Sequence, residues 1–253
     1  MLETYKLCIV IPCYNEEKRL DRKRFIQFSK LNKDILICFV NDGSSDNTLD
    51  VLNEIRLEFP NNIAVMSTDK NVGKAEAVRT GISICQTKYH YDKIAYLDAD
   101  LSTSLEECVS IAQLVNRNVI FAFGSRISLL GSTIKRKYHR FLIGRIVATF
   151  ISNQLKLKVY DTQCGCKVFD RSIADQIFKE LFISKWLFDV EIFYRIVHLR
   201  GRENMENVSL EVPLKSWIDI DDSRVKFSYF FKLWYDLMRI KKRYQSHPVN
   251  SNE

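Results

Sequence analysis

Lys93-Ile94-Ala95-Tyr96-Leu97-Asp98-Ala99-Asp100 is the stretch from which the fold can be read. An apolar run too short for a helix stops at two carboxylates one residue apart. Such runs suit a buried strand. In extended backbone, side chains two apart point to the same side. Asp98 and Asp100 therefore project together from a strand end, as a hard divalent cation requires. Working outward, Leu7–Pro12, Asp34–Asn41, Ile63–Thr68 and Val119–Gly124 have the same strand-like form. Amphipathic segments separate them: Lys18–Leu31, Thr48–Phe59, Lys74–Cys85 and Ser104–Val115. Ser45 and Asp46 are caps for the second, and Ser104 with Glu107 forms a capping box for the fourth. The alternation predicts an α/β fold, a mostly parallel sheet flanked by helices.

In such sheets ligands bind at the carboxyl ends of the strands. Each run here is followed by a polar cluster: Tyr14-Asn15-Glu16 after Pro12, Asn41 to Ser45 after Val40, Asp69-Lys70-Asn71 after Thr68, and Gly124-Ser125-Arg126 after Phe123. In Asp42-Gly43-Ser44-Ser45-Asp46, Gly43 permits a tight turn and Asp42 offers a carboxylate to a base N–H; an ordinary helix cap is the alternative. Two carboxylates plus substrate phosphates are what magnesium prefers, and a metal neutralises a leaving diphosphate. Neither Gly-x-Gly-x-x-Gly after the first strand nor a Walker sequence is present, which disfavours dinucleotide oxidoreductases and P-loop enzymes.

After Arg126 the pattern changes. Ile127–Lys137 reads as a mobile basic loop and Tyr138–Leu155 as a helix. Tyr160–Asp170 reads as a polar turn into a short strand, Phe188–Leu199 as a helix and Met205–Pro213 as a final strand. Arg224–Tyr244 reads as a long helix with a disordered tail from Gln245. The expected organisation is one domain over residues 1–244. Its nucleotide half covers about 1–126, its acceptor half about 127–223 and a C-terminal amphipathic helix about 224–244.

A formal charge of +7 points to anionic partners. Nucleic acid is disfavoured, because no basic helix or aromatic-sheet motif accompanies the charge. The seven cysteines are scattered, and Cys164 and Cys166 stand too close for a zinc pair, so reduced thiols are expected. His139 and His198 show no metal-ligand spacing. Met1 to Lys6 carries no signal-peptide core, and no run reaches the ~18 apolar residues of a membrane span. A cytoplasmic protein is expected. In the last helix Phe227, Phe230, Phe231, Trp234, Tyr235, Leu237 and Met238 mix with Lys232, Arg239, Lys241, Lys242 and Arg243. That mixture suits an anionic membrane surface, and packing on the domain is the alternative.

Val10-Ile11-Pro12-Cys13-Tyr14-Asn15-Glu16, Val40-Asn41-Asp42-Gly43-Ser44, Asn71-Val72-Gly73-Lys74 and Leu97-Asp98-Ala99-Asp100 together resemble glycosyltransferase family 2, of GT-A fold. The later segments Gly124-Ser125-Arg126, Asp161-Thr162-Gln163-Cys164-Gly165-Cys166-Lys167-Val168-Phe169 and Trp186-Leu187-Phe188-Asp189-Val190-Glu191 resemble its dolichyl-phosphate glucosyltransferases and bacterial polyprenyl-phosphate relatives. The resemblance implies that Pro12, Tyr14, Glu16 and Asp42 contact the nucleoside and Lys74 the diphosphate. It implies that Asp98 and Asp100 hold Mg²⁺ or Mn²⁺, with Gln163 completing the shell. Cys166 departs from the family, which usually has Phe there.

Arg126, Lys135, Arg136 and Lys137 sit on or beside the basic loop, where they are candidates for an acceptor phosphate. A phosphomonoester is already a nucleophilic dianion near neutrality, so it needs no general base. Asp189 is the base candidate for a hydroxyl acceptor, or else anchors the helix beginning there. The expectation is an inverting enzyme that moves glucose from UDP-glucose to a polyprenyl phosphate at the cytoplasmic membrane face. Alternatives are transfer to a glycan hydroxyl, or an inactive nucleotide- or membrane-binding protein. Oligomeric state stays open.

Overall fold

The computed structural model describes residues 3–136, 138–218 and 229–245. In chain order the first half runs β1 (Thr4–Cys13), α1 (Arg22–Leu31), β2 (Ile35–Asn41), α2 (Thr48–Glu58), β3 (Ile63–Ser67), α3 (Lys74–Lys88), β4 (His90–Leu97), α4 (Leu105–Leu114) and β5 (Phe121–Ser125). The second half runs β6 (Thr133–Lys135), α5 (Tyr138–Leu155), β7 (Cys166–Asp170), α6 (Arg171–Ile177), α7 (Phe188–Arg200), α8 (Arg202–Val208), β8 (Ser209–Pro213), β9 (Ser216–Ile218) and α9 (Tyr229–Gln245).

Seven strands form one sheet in the order β3-β2-β1-β4-β7-β5-β8. β1 pairs in parallel with β2 and β4, β2 with β3, and β5 with β8. β7 runs antiparallel to both of its neighbours, with Leu97 opposite Cys166 and Phe123 opposite Lys167. Both faces are covered, so the strands are apolar on both sides. On β1, Cys8 and Val10 enter one core cluster while Leu7, Ile9, Ile11 and Cys13 enter the other. All seven cysteines are buried and unpaired, matching the thiol expectation.

Several boundaries differ from the sequence reading. α1 begins at Arg22 rather than Lys18, because Asp21 Oδ1 accepts from Arg24 N at 3.1 Å and caps it. At α2, Asp46 Oδ1 accepts from Thr48 N at 3.1 Å, but Ser45 N donates to Asn15 Oδ1 instead. Ser104 caps α4 as expected, whereas the Glu107 carboxylate accepts from Lys215 N rather than closing the box. Ile127–Lys137 is not all loop: Ile134 packs on the core, and β6 pairs in parallel with β9. Met205 is the buried residue of α8, so the expected final strand shortens to β8, and β9 follows it. Lys137, residues 219–228 with Phe227, and the tail 246–253 lie outside the described residues. So do the side chains of His139, Phe230, Phe231 and Lys232.

The last helix docks on the domain. Asp236, Leu237 and Ile240 are buried, and the Tyr244 hydroxyl donates to Glu191 of α7 at 2.9 Å. Tyr235 and Met238 stay exposed, while Trp234 meets Phe150 of α5 edge-on at 4.3 Å. Leu142, Ile143 and Ile146 of α5 are also exposed. Among the described residues no helix is long and apolar enough to cross a membrane.

Candidate active site

Two loops at the carboxyl edge of the sheet are stitched into one unit. Asn15 adopts φ +52°, its N–H donates to Ser44 Oγ at 3.0 Å, and Glu16 N donates to Thr48 Oγ1 at 2.8 Å. The segment after β1, with Tyr14 and Glu16 and just beyond Pro12 on the strand, is thus tied to the segment after β2. Gly43 has φ +60°, and a Cβ there would stand 2.3 Å from the Lys70 carbonyl carbon. This close approach brings the next loop under Asp42. The Asp42 carboxylate accepts from Val72 N (2.7 Å), Gly73 N (2.9 Å), Asn71 Nδ2 (3.0 Å) and Thr68 Oγ1 (3.4 Å). A carboxylate has about four acceptor sites, so Asp42 anchors the segment that starts α3. The first residue of α3 is Lys74.

Lys74 reaches from that helix to the end of β4, where its Nζ lies 2.5 Å from Asp98 Oδ1. The other side of Asp98 rests on Gly165: a Cβ at Gly165 would fall 2.0 Å from Oδ2, and Asp98 N donates to Gly165 O at 3.1 Å. Loss of hydration pushes the Asp98 carboxyl above its usual range; Lys74 opposes this, and Asp100 and Asp189 add to it. For Lys74, burial favours the neutral amine, but Asp98, Asp189 and Asp100 reverse that and hold the ammonium. Asp100 Oδ1 accepts from Ser102 N at 3.0 Å, and Arg19 Nη2 stands 3.9 Å from Oδ2. The same guanidinium lies 3.6 Å from Glu16 Oε2.

The donor set at this strand end is hard oxygen, which fits Mg²⁺ or Mn²⁺. Gly165 supplies the cradle that lets Asp98 sit there. Among the described residues no three His, Cys, Asp or Glu side chains gather as a self-sufficient metal cluster. Gln163, which the family resemblance implies as a further ligand, is half-buried on the Gly165 loop, and magnesium commonly takes its remaining ligands from substrate phosphates.

Arg126 directly follows β5. Its Nε and Nη2 donate to Asp161 Oδ2 (2.6 Å) and Oδ1 (2.8 Å), a bidentate pair. Burial alone would raise the Asp161 carboxyl, but Arg126 more than reverses this and holds it well below the usual range. The Glu211 carboxylate accepts from the N–H groups of Tyr160 and Asp161, both at 2.8 Å. The Arg126 guanidinium also lies over the Trp217 ring at 5.3 Å, with Arg136 over the same ring at 5.7 Å. Arg126 and Arg136 thus share one indole. Lys135 is exposed on β6. Asp98 lies within electrostatic reach of Arg126.

Asp189 is buried at the start of α7. Its Oδ1 accepts from Lys167 Nζ at 2.6 Å and from the Tyr96 hydroxyl. Lys167 itself is fully buried and also donates to Cys164 O at 2.8 Å. Both partners come from the sheet, Lys167 from β7 and Tyr96 from β4, so Asp189 ties the start of α7 to these two strands.

Pro12, Tyr14, Glu16, Asp42, Lys74, Asp98, Asp100, Gln163 and Arg126 thus border the carboxyl ends of β1, β2, β4 and β5. The sequence carries no signal for Arg19, Glu211 and Trp217, and Lys167 stood in the motif from Asp161 to Phe169 without a role. Asp161 and Gly165 stood in the quoted Asp-Thr-Gln-Cys-Gly motif, which was the available signal for both.

Comparison with known proteins gives the fold and the family of the chain. Dolichyl-phosphate beta-glucosyltransferase of Dictyostelium discoideum is 29% identical over 96% of this chain and 76% of its own length. The Saccharomyces cerevisiae enzyme of the same name is 30% identical over 94% of this chain and 75% of its own. Among solved structures, mannosyl-3-phosphoglycerate synthase from Rubrobacter xylanophilus superposes with a TM-score of 0.68 at 15% identity, covering 98% of this chain and 77% of that one. Glucosyl-3-phosphoglycerate synthase from Mycobacterium tuberculosis, in complex with Mn²⁺, UDP and glucosyl-3-phosphoglycerate, gives 0.64 at 12% identity, covering 99% and 90%. These structural likenesses establish the GT-A fold. The sequence description "Glycosyl transferase family 2" matches residues 8–178, and the chain belongs to that family of glycosyltransferases.

Proposed function

We propose that this protein transfers glucose from UDP-glucose to a polyprenyl phosphate of the dolichyl type, with inversion. The relatives that align along nearly the whole chain are named dolichyl-phosphate beta-glucosyltransferases, and the structural neighbour from Mycobacterium tuberculosis holds UDP. A phosphate oxygen of the acceptor attacks the anomeric carbon, the bond from that carbon to the UDP oxygen breaks, and UDP leaves. Asp98, Asp100 and Gln163 would hold Mg²⁺ or Mn²⁺, which supplies charge compensation for the diphosphate. Pro12, Tyr14 and Glu16 border the nucleoside, with Asp42 setting the loop behind them. Lys74 serves the diphosphate, and Arg126 with Arg136 receives the acceptor phosphate, Lys135 adding charge at the rim.

The observation that carries the acceptor class is the state of Asp189. Asp189 is buried and its Oδ1 is engaged by Lys167 and Tyr96 inside the fold, which supports a structural role over proton transfer from a hydroxyl. A phosphate dianion needs no such base. The test offers purified protein UDP-[¹⁴C]glucose with a short polyprenyl phosphate or the matching polyprenol. Transfer to the phosphate alone, giving a β-linked glucosyl phosphate, is expected. Comparable transfer to the alcohol or to a glycan hydroxyl overturns the reading.

The acceptor's phosphate lies at headgroup level, so the enzyme must approach a membrane plane. Exposed Leu142, Ile143 and Ile146 of α5, together with exposed Tyr235 and Met238 of α9, support contact with a membrane surface, on this reading the cytoplasmic leaflet. Lys242 and Arg243 are exposed at the end of α9 and suit anionic lipid.

A further inference from the structure

The contacts of Asp98 imply more than a place for a cation. Its Oδ2 is turned against Gly165, so closely that a single added carbon would stand 2.0 Å away. Its Oδ1 is held by the Lys74 ammonium at 2.5 Å. A divalent ion bound to Oδ1 at ~2.1 Å would leave the two cations within about 5 Å of each other on one carboxylate. Their repulsion there is far from screened, since salt acts over ~10 Å at 0.1 M. Ion and ammonium therefore compete for one oxygen. Lys74 also has somewhere to go. It is the first residue of α3, its side chain keeps 26% of its surface open, and it feels Asp189 and Asp100 as well as Asp98. The diphosphate of a donor is a stronger counter-anion than any one of these.

We infer that Lys74 is an internal cation that holds the metal's carboxylate until a nucleoside diphosphate draws it away. The inference rests on the donor-site reading above. Its consequence is coupling: the diphosphate removes the competitor as well as supplying ligands. The protein without nucleotide binds metal weakly, and the two ligands bind as a pair. This keeps the acidic strand end neutralised between turnovers and ties metal loading to donor loading. By reciprocity, metal raises the affinity for UDP by the same factor.

The test measures Mn²⁺ binding from the electron paramagnetic resonance signal of the free ion, with and without saturating UDP. It uses wild type, Lys74→Met, Lys74→Arg and Asp98→Ala. Without UDP, Lys74→Met should bind Mn²⁺ on the order of tenfold more tightly than wild type, and Lys74→Arg should not. UDP should tighten Mn²⁺ binding much more in wild type than in Lys74→Met. If Lys74→Met binds Mn²⁺ no more tightly than wild type while Asp98→Ala abolishes binding, the inference is overturned and the donor site stands. If wild type with UDP binds no Mn²⁺, or Asp98→Ala binds as well as wild type, the donor-site reading fails and takes the inference with it.

Discussion

Gly165→Ala is the sharpest test of the Asp98 cradle. The new Cβ would lie 2.0 Å from Asp98 Oδ2 and 2.4 Å from its Cγ, where contacts below 3.0 Å are essentially never seen. The carboxylate must therefore retreat by about 1 Å. A displacement of that size at a reacting centre can cost about 100-fold in rate. Stability should move little. Gly165 does not use the left-handed region that would forbid alanine, and a compatible Gly→Ala change stabilises by about 0.4–1 kcal/mol through the unfolded chain. That gain offsets part of the local strain. The assay pairs thermal unfolding with turnover of UDP-glucose and a short polyprenyl phosphate in Mn²⁺. The expected result is a melting temperature within a few degrees of wild type and roughly 100-fold lower kcat. Wild-type kcat in Gly165→Ala would refute the role given to Asp98. Loss of activity with gross loss of stability would instead make Gly165 a packing residue.

Two further outcomes follow from the same geometry. Asp161→Asn should destabilise the fold by about 3 kcal/mol at pH 7, since it strips a mostly buried guanidinium of its partner. The Asp161 carboxyl is depressed, so its contribution is fully present above the unfolded value of ~3.9 and is lost as pH falls through the folded one. The gap between wild type and variant in a denaturant titration should shrink only below about pH 4; a constant gap down to pH 2 would exclude the pair as its source. Ile146→Asp on the exposed stripe of α5 should reduce sedimentation with phosphatidylserine-containing liposomes and leave UDP affinity unchanged, and equal sedimentation would remove α5 from the membrane face.

The alternation of strands and helices was legible because period and polarity change together at each strand end. Ile94 to Leu97 followed by Asp98 and Asp100 is the clearest case. Short edge elements carry no such signal. Ser216-Trp217-Ile218 has three residues and one partly buried ring, so neither the strand nor the indole under Arg126 and Arg136 could be read ahead. Long-range ion pairs were equally silent: 35 residues separate Arg126 from Asp161, and no spacing rule links them. Asp189 shows a third limit. Its type and position suited either a base or an anchor, and no spacing rule tells that Lys167 and Tyr96 meet its carboxylate. The last helix mixed aromatic and basic residues in a way that fitted a membrane surface, yet Leu237 and Ile240 face the core. Its residue types alone do not say which flank faces the protein.

The antiparallel strand β7 explains why the residues proposed for donor and acceptor are held by one short loop. An antiparallel strand begins where its parallel neighbours end. β7 lies between β4 and β5, so the chain entering it must cross their carboxyl edge. That crossing is Asp161 to Gly165. At one end Asp161 grips Arg126, which follows β5. At the other, Gly165 seats Asp98, which follows β4. Gln163 lies between them, its N–H donating to Asp161 Oδ1 at 3.1 Å. Glu211 of β8 fixes the entry of the loop through two N–H groups. The groups assigned to the acceptor phosphate and to the donor diphosphate are thus spaced by five residues of one segment. In-line transfer depends on that spacing, because the attacking and leaving oxygens must lie on opposite sides of one carbon.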